Sequence, residues 1–144
     1  MKDKYCFPAI FDYAPDGISI SFPDLPGCLS CADNYSEALY MAQDALEGRL
    51  YIDEQHRDFI PEPSNPLEIK ISLAPNQIVV PIEANLKKVR EQVMNKAVNK
   101  MVTLPRWLIE EGKKADINFS HLLQDALMDK LGISPEVNRK AASR

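Results

Sequence analysis

The sequence pattern of residues 96–134 predicts one strand followed by two helices, with a glycine at the end of the second helix. Residues 99–104 are strand-like, and Pro105 follows where a helix favours proline in its first turn. Asn118 is a good N-cap for a second helix, and Gly132 is a typical residue after a helix end. About forty residues in this order cannot enclose a hydrophobic core. The pattern therefore predicts a module that completes its core with a second copy of itself.

The N-terminal part of the chain has the pattern of a small antiparallel sheet. Residues 5–13 are rich in aromatic and apolar side chains and stop at the turn signal Asp16-Gly17. Residues 18–22 then alternate with period two, and residues 28–32 make a plausible third strand. The alternation predicts a hairpin with one buried face.

A helix is predicted to follow the third strand. Asn34 and Glu37 have the three-residue spacing of a capping box at a helix start. The predicted helix should fray near His56, because prolines follow from Pro61 onward and proline cannot continue a helix. Its apolar stripe is formed by Leu39, Ala42, Leu46 and Leu50. The helix is expected to cover the hairpin.

Four segments follow from these patterns. Residues 67–73 alternate and are expected to return as a further strand. Residues 1–75 are therefore assigned to an α+β domain with one main helix on an antiparallel sheet. Residues 76–95 are interpreted as a connector of moderate order, in which residues 77–82 look like a short strand and residues 86–93 have partial helical spacing. Residues 96–134 are interpreted as the strand-helix-helix module and residues 135–144 as a tail.

Charge is distributed unevenly along the chain. Residues 1–70 contain five basic and thirteen acidic residues, a balance of −8. Residues 86–114 contain eight basic and three acidic residues, a balance of +5. An acidic half suits a basic partner and a basic stretch suits phosphate groups, although most charge runs are only solvated surfaces.

The cysteine pattern does not indicate a metal or cofactor site. Cys28 and Cys31 form a CxxC, but no second CxxC or spaced histidine pair accompanies it. In a strand, residues three apart point to opposite faces, so we expect reduced, structural thiols. No apolar run approaches the ~20 residues that span a bilayer, and no signal-peptide core follows the first lysines. A cytoplasmic protein without metal, cofactor or membrane association is expected.

Dense, ordered motifs within residues 16–64 resemble the HicB antitoxin family. They include DG, the run ISISFPDLPGC, the helix start DNYSEAL, ALEG and IPEPS. The resemblance implies a truncated ribonuclease-H-like domain that binds HicA, a small toxin that cleaves messenger RNA. The C-terminal VTLPRW, its helix, INFS and the second helix resemble a ribbon-helix-helix module, which some HicB proteins carry. The two resemblances imply a type II antitoxin that neutralises a HicA-like toxin and represses its own operon by binding operator DNA.

The ribbon-helix-helix resemblance also assigns operator-binding residues by their position before Pro105. A ribbon with one strand from each of two protomers fits the major groove. Lys100 departs from the family pattern, since its position usually faces inward and is apolar, but its stem can lie along the core edge while the ammonium reaches phosphate. Met101 replaces a small polar reader and weakens hydrogen-bond readout there. The outward residues are Asn99, Met101 and Thr103, and the inward residues are Val102 and Leu104.

The start of the second helix is the predicted phosphate contact. Asn118, Phe119 and Ser120 would present unpaired backbone N–H groups and the positive end of the helix dipole to a phosphate. Such a contact sets register without reading sequence. The same module is expected to form the homodimer, with assembly as a dimer or a tetramer left open.

The toxin contact is expected on the acidic half. Asp12, Asp16 and Asp24 lie near predicted loop ends and are candidates to occupy positions where phosphates of RNA would bind the toxin. The simpler interpretation is that each is an ordinary turn aspartate.

Two other functions fit parts of the sequence. A ribonuclease-H-like nuclease would need several carboxylates around two metals, and Asp12 and Glu47 are candidates. Residues 69–73 offer no acidic residue to complete that set, so no catalytic residue is predicted. A free-standing ribbon-helix-helix regulator is the second alternative.

Overall fold

A computed structural model of the chain describes residues 2–134. Two compact units are present, Met1–Met94 and Asn95–Arg144. The predicted tail, residues 135–144, lies outside the described residues. Of the helices in the described part of the chain, none combines the length and the apolar character needed to cross a membrane.

The first unit contains a four-stranded antiparallel sheet with strand order β3-β2-β1-β4. The strands are β1 (Lys4–Ala14), β2 (Gly17–Ser21), β3 (Leu29–Ala32) and β4 (Gln77–Asn85). The predicted hairpin is confirmed, since Tyr13 pairs with Ile18 across the β1–β2 turn. The third strand was placed one residue early and begins at Leu29.

The main helix, α1 (Tyr35–His56), begins and ends as the sequence predicts. The Asn34 Oδ1 accepts a hydrogen bond from the Glu37 N–H at 3.0 Å. The Glu37 carboxylate accepts one in return from the backbone N–H of Asp33 at 2.9 Å, one residue before the position of an ideal capping box. Arg57 closes the helix in the left-handed conformation, with φ of 60°.

The hydrophobic core lies between α1 and one face of the sheet. The buried stripe of α1 follows every fourth residue, Ala38, Ala42, Leu46 and Leu50. Leu39, which the sequence placed on this stripe, is 38% exposed. That expectation was wrong for Leu39, because a stripe of every fourth residue shifts by about 40° per step along the helix and passes through Ala38, not Leu39, at the start of α1. The largest fully buried side chains are Phe7, Phe11, Ile20, Leu25, Leu46, Leu50 and Leu86.

Residues 67–73 were expected to form a strand, and this expectation was wrong. The segment begins with α2 (Pro66–Ile71). Asn65 caps it, since its Oδ1 accepts a hydrogen bond from the Leu67 N–H at 3.0 Å. Proline at the first helical position has a φ that suits a helix start. A cap followed by proline outweighs alternation over seven residues, which cannot by itself distinguish a short strand from a short helix.

Residues 76–95 were interpreted as a connector, and the structure corrects this interpretation. They contain β4 and α3 (Leu86–Asn95), and β4 pairs with β1 along its whole length. Val80, Ile82, Ala84 and Leu86 are buried in the core. The N-terminal unit therefore extends to residue 94 rather than to residue 75.

The β1–β4 pairing contains two prolines directly opposite each other, Pro8 and Pro81. Neither has an N–H to donate, so proline is tolerated in a sheet only where that donor is not needed. β4 is an edge strand, and β2 accompanies β1 only from Ile10 onward, so both positions border an unpaired stretch.

The second unit contains α4 (Arg106–Lys114) and α5 (Phe119–Leu131). Asn118 caps α5, with its Oδ1 accepting a hydrogen bond from the His121 N–H at 3.1 Å, and Gly132 ends the helix with φ of 70°. The two helices approach closely, because a Cβ on Gly112 would lie 2.7 Å from Cζ of Phe119. Pro105 occupies the N-cap position of α4 rather than its first turn.

Candidate functional site

The second unit leaves its apolar side chains exposed. Gly112 is the buried residue of α4, and α5 has none among its described residues. Trp107 is 66% exposed and Leu122 is 54% exposed. Monomeric proteins rarely expose contiguous apolar surface of this extent. The unit therefore does not enclose a core by itself, as its sequence pattern predicts.

The second unit contains an open groove of about 540 Å³, and the exposed Leu122 is one of its lining residues. Residues of the segment before α4, of α4 and of α5 all contribute to it. The apolar lining is formed by Val102, Leu104, Ile109, Phe119, Leu122, Leu123 and Ala126, and the polar lining by Lys100, Lys113 and Ser120. The groove is therefore apolar along its length with lysines among its lining residues.

In the segment before α4, residues 99–104, alternate positions differ in whether they line the groove. Lys100, Val102 and Leu104 line the groove, whereas Asn99, Met101 and Thr103 are exposed and do not. Residues 97–105, all within the described range, form neither helix nor strand in the single chain. The positions that line the groove therefore hold two apolar residues and a lysine, whereas the other positions hold two polar residues and a methionine.

The start of α5 brings Asn118, Phe119 and Ser120 together. The Asn118 side chain accepts a hydrogen bond from the His121 N–H. The backbone N–H groups that precede His121 in the first turn of α5 have no partner within the helix, because the first N–H groups of any helix lack one. The Phe119 ring packs against Gly112 and is half-buried, so it stabilises the α4–α5 contact. Ser120 is exposed at the groove.

The three aspartates proposed for the partner contact have different surroundings. Asp12 accepts hydrogen bonds from the side-chain amides of Asn76 at 2.7 Å and Gln77 at 2.8 Å. Asp24 accepts one from the Ser64 N–H at 2.9 Å and another from the Ser64 hydroxyl. Asp16 is exposed in the β1–β2 turn. Asp12 and Asp24 therefore have structural roles within the unit.

One cluster that the sequence did not predict explains part of the FPDLPGC motif. The Arg49 Nε donates to both carboxylate oxygens of Asp53 at 2.9 Å, and its Nη1 donates to the Pro26 carbonyl at 2.7 Å. Asp53 is only 4% exposed, so its charge needs this partner. The Cys28 Sγ donates to the Ala45 carbonyl, and burial raises the pKa of the thiol. The motif is thereby fixed against α1.

Cys28 is buried and Cys31 is exposed, as strand alternation predicts for residues three apart. Cys6, Cys28 and Cys31 are free thiols. Within residues 2–134, no group of three or more histidine, cysteine, aspartate or glutamate side chains is arranged to hold a metal ion. Glu47, a candidate for a nuclease site, accepts a hydrogen bond from the Asn85 N–H at 3.1 Å.

A second unpredicted cluster attaches α3 to the rest of the first unit. Arg90 donates from Nε to Glu54 at 2.9 Å, from Nη1 to Asp3 at 2.7 Å and from Nη2 to the Lys2 carbonyl at 3.0 Å. The hydrogen bond from Arg90 to the Glu54 carboxylate holds the pKa of Glu54 below its usual value. The partners are 36 to 88 positions apart, so no local sequence pattern indicates them.

Comparison with known proteins shows which family the chain resembles. Residues 7–125 match the family described as the HicB-like antitoxin of bacterial toxin-antitoxin systems. An uncharacterized 14.9 kDa protein from the rep-hol intergenic region of Haemophilus phage HP1 is 33% identical over 109 residues, 72% of this chain and 75% of that protein. Antitoxin HicB 2 of Photorhabdus laumondii is 38% identical over 64 residues, 44% of this chain and 46% of that protein.

Two solved structures share the fold. A chain of a toxin-antitoxin complex from Streptococcus pneumoniae aligns with a TM-score of 0.56 and 21% identity, over 88% of this chain and 99% of that one. The crystal structure of antitoxin HicB3 aligns with a TM-score of 0.50 and 20% identity, over 90% of this chain and 99% of that one. Since the family match covers most of the sequence and runs through both units, the chain belongs to the HicB-like antitoxin family of bacterial toxin-antitoxin systems.

Proposed function

We propose that this chain neutralises a HicA-like, messenger-RNA-cleaving toxin with its N-terminal unit and represses its own operon with its C-terminal unit. The observation that carries the proposal is the family match over residues 7–125, which includes both units. The match supports a role as the cytoplasmic, non-enzymatic partner of a type II pair. The strand order β3-β2-β1-β4 under one long helix is the basis for describing the N-terminal unit as a truncated ribonuclease-H-like domain.

In this proposal the C-terminal unit is a ribbon-helix-helix module that forms a homodimer. The exposed groove supplies the reason, since a second copy would bury Val102, Leu104 and Leu122. Fully burying a side chain of this size contributes about 1.5–3 kcal/mol. Residues 99–104 of the two protomers would pair as an antiparallel ribbon, which satisfies the backbone groups of an otherwise unpaired segment.

The paired ribbon would enter the major groove of operator DNA with Asn99, Met101 and Thr103 outward. Asn99 and Thr103 would hydrogen-bond to base edges, and Met101 would make apolar contact. The Lys100 ammonium would reach a phosphate from the edge of the groove that its stem lines. The residues at the start of α5, Asn118, Phe119 and Ser120, would bind a second phosphate through backbone N–H groups.

The toxin would bind the acidic N-terminal unit. Opposite charge speeds encounter and favours the correct partner more than it sets affinity. Asp16 is exposed and is available for a direct contact. Asp12 and Asp24 would act mainly by holding the segment that contains α2, because each accepts two hydrogen bonds from that segment or its border.

The double variant Asn99→Ala/Thr103→Ala tests the division of labour between the units. It removes two base-edge contacts and leaves the side chains that line the groove. Each lost contact should cost about 1–3 kcal/mol of discrimination, so operator affinity should fall well over tenfold. Salt-dependent nonspecific binding should persist. Gel shifts with operator DNA measure the first effect, and growth of cells that co-express the toxin measures neutralisation.

Gln124→Ala is the matched control, since it removes an exposed amide from α5 without touching the ribbon. The control should bind operator like the unaltered protein. Normal operator binding by the double variant would show that the ribbon assignment is wrong. Loss of toxin protection in a folded double variant would contradict the division of labour.

A further inference from the structure

The helix α2 displays two large apolar side chains to solvent. Leu67 is 69% exposed and Ile71 is 87% exposed. They are four positions apart on a helix, so they lie on the same side. Ile69, between them, is half-buried, and α2 packs against β4. Leu67 and Ile71 together, named here the α2 ridge, therefore point away from the unit that carries them.

This ridge is held in position from both ends. Before α2, Asp24 binds the backbone N–H and hydroxyl of Ser64. After α2, Asp12 binds the amides of Asn76 and Gln77. A helix of six residues does not persist alone in water, so these anchors and the caps of α2 maintain it. The ridge is thus ordered before any partner binds, which lowers the cost of ordering on association.

Charge indicates what kind of partner the ridge fits. The exposed acidic residues Glu62 and Glu68 and the exposed basic residue Lys70 lie next to the ridge in sequence, and residues 1–70 as a whole carry a charge balance of −8. Apolar anchors inside a charged rim are typical of protein interfaces. A protein that binds RNA carries a basic surface, because it must attract phosphates. The net acidic charge of the sequence that carries the ridge complements such a surface.

We infer that the α2 ridge is a docking surface for the toxin, an inference that rests on the proposed neutralising function. The toxin would accept Leu67 and Ile71 in an apolar groove, with Glu62 and Glu68 opposite its basic residues. Short helices that insert apolar residues four apart into a groove are a recurrent mode of recognition. Asp12 and Asp24 then contribute by positioning the helix rather than by imitating phosphate.

The test uses the full chain and the HicA-like toxin that the proposed function pairs with it. In the double variant Leu67→Lys/Ile71→Lys, lysine preserves helix propensity but places two positive charges opposite a basic partner. Toxin affinity, measured by titration calorimetry, should fall about 100-fold or more. The control Tyr40→Lys/Ile52→Lys changes two exposed residues of α1 and alters the net charge equally, and it should change affinity less than about threefold.

A second variant, Leu67→Ala/Ile71→Ala, removes the ridge without adding charge and should weaken toxin binding about tenfold. Both variants should bind operator DNA like the unaltered protein. If the unaltered chain does not bind the toxin, the proposed function and this inference both fall. If the unaltered chain and both variants bind equally well, only the docking surface is wrong. A variant that changes the oligomeric state but keeps toxin affinity would identify the ridge as a contact between copies and overturn the inference.

Discussion

Gly17 and Gly48 show how differently two glycines constrain one fold. Gly17, in the β1–β2 turn, has φ of +148°, which side chains of L-residues rarely adopt. A Cβ there would also lie 2.9 Å from the Ala32 carbonyl oxygen, in the neighbouring strand β3. Gly48 lies within α1, and a Cβ there would have no atom within 4 Å. One glycine is required by its surroundings and the other is not.

Gly17→Ala should therefore destabilise the first unit by about 1–3 kcal/mol, the cost of a strained backbone position. Gly48→Ala should stabilise it by about 0.5–1 kcal/mol, because alanine has the higher helix propensity. Urea denaturation followed by circular dichroism measures both changes. Equal midpoints for the two variants would contradict the assigned turn geometry.

The attachment of α3 to α1 depends on Arg90 and Glu54. Glu54 and Arg90 have side chains only 12% and 22% exposed, so solvent screens their ion pair incompletely. Arg90→Met should destabilise the unit by about 1–3 kcal/mol near neutral pH, because it leaves a charged, largely buried acceptor without its partner. Thermal denaturation at pH 7 gives the difference between the variant and the unaltered chain.

The stabilisation that the Arg90–Glu54 ion pair contributes should depend on pH. Arg90 lowers the folded-state pKa of Glu54, so the stabilisation is fully present above the ordinary glutamate pKa of about 4.3 and is lost as the pH falls through the lower folded value. The difference in stability between Arg90→Met and the unaltered chain should therefore shrink under acid. When Glu54→Gln is compared with Arg90→Met/Glu54→Gln, the difference in stability should not change with pH in this range, because no Glu54 carboxylate remains to titrate. A difference that grows on acidification would exclude this pair as its source.

At the scale of elements, local signals predicted what local interactions determine. The Asn34 cap, the Asp16-Gly17 turn and the Gly132 stop each act within a few residues, and the structure contains all three. The sequence indicated a short strand at residues 77–82 but not its pairing with β1, because that pairing joins residues about seventy positions apart. The helix α2 was mistaken for a strand because a six-residue helix leaves no helical period to recognise.

The candidate sites divide in the same way. Alternation along residues 99–104 is a local pattern, and the groove is lined by Lys100, Val102 and Leu104 but not by the residues between them. The sequence also selected Asp12 and Asp24, but it could not indicate their hydrogen bonds to Asn76 and Ser64. The Arg49 and Arg90 clusters depend on the tertiary fold and have no signature in sequence.

For the whole molecule, the two units differ in how complete they are. The first unit buries a continuous core that extends from Phe7 to Leu86. The second unit buries Gly112 from its two helices, within the described part of the chain, and leaves Leu104, Trp107 and Leu127 exposed. A unit of the first kind can fold alone, whereas a unit of the second kind needs a partner. Self-association should therefore reside in the second unit.

Removal of residues 95–144 should leave a folded monomer. Among the described residues, the core of the first unit ends at Leu86 and the last side chain packed against it is Val89, so the fragment should keep the helical and strand content expected for residues 1–94. The full chain should sediment as a dimer or larger assembly, and its denaturation midpoint should rise with protein concentration because dissociation is coupled to unfolding. The fragment should show no such concentration dependence.

Val102→Asp in the full chain provides the control, because a carboxylate buried in the groove without a partner should abolish association while leaving the first unit intact. A fragment that still sediments as a dimer would place the association surface in the N-terminal unit, and the C-terminal unit would then require another explanation for its exposed apolar residues.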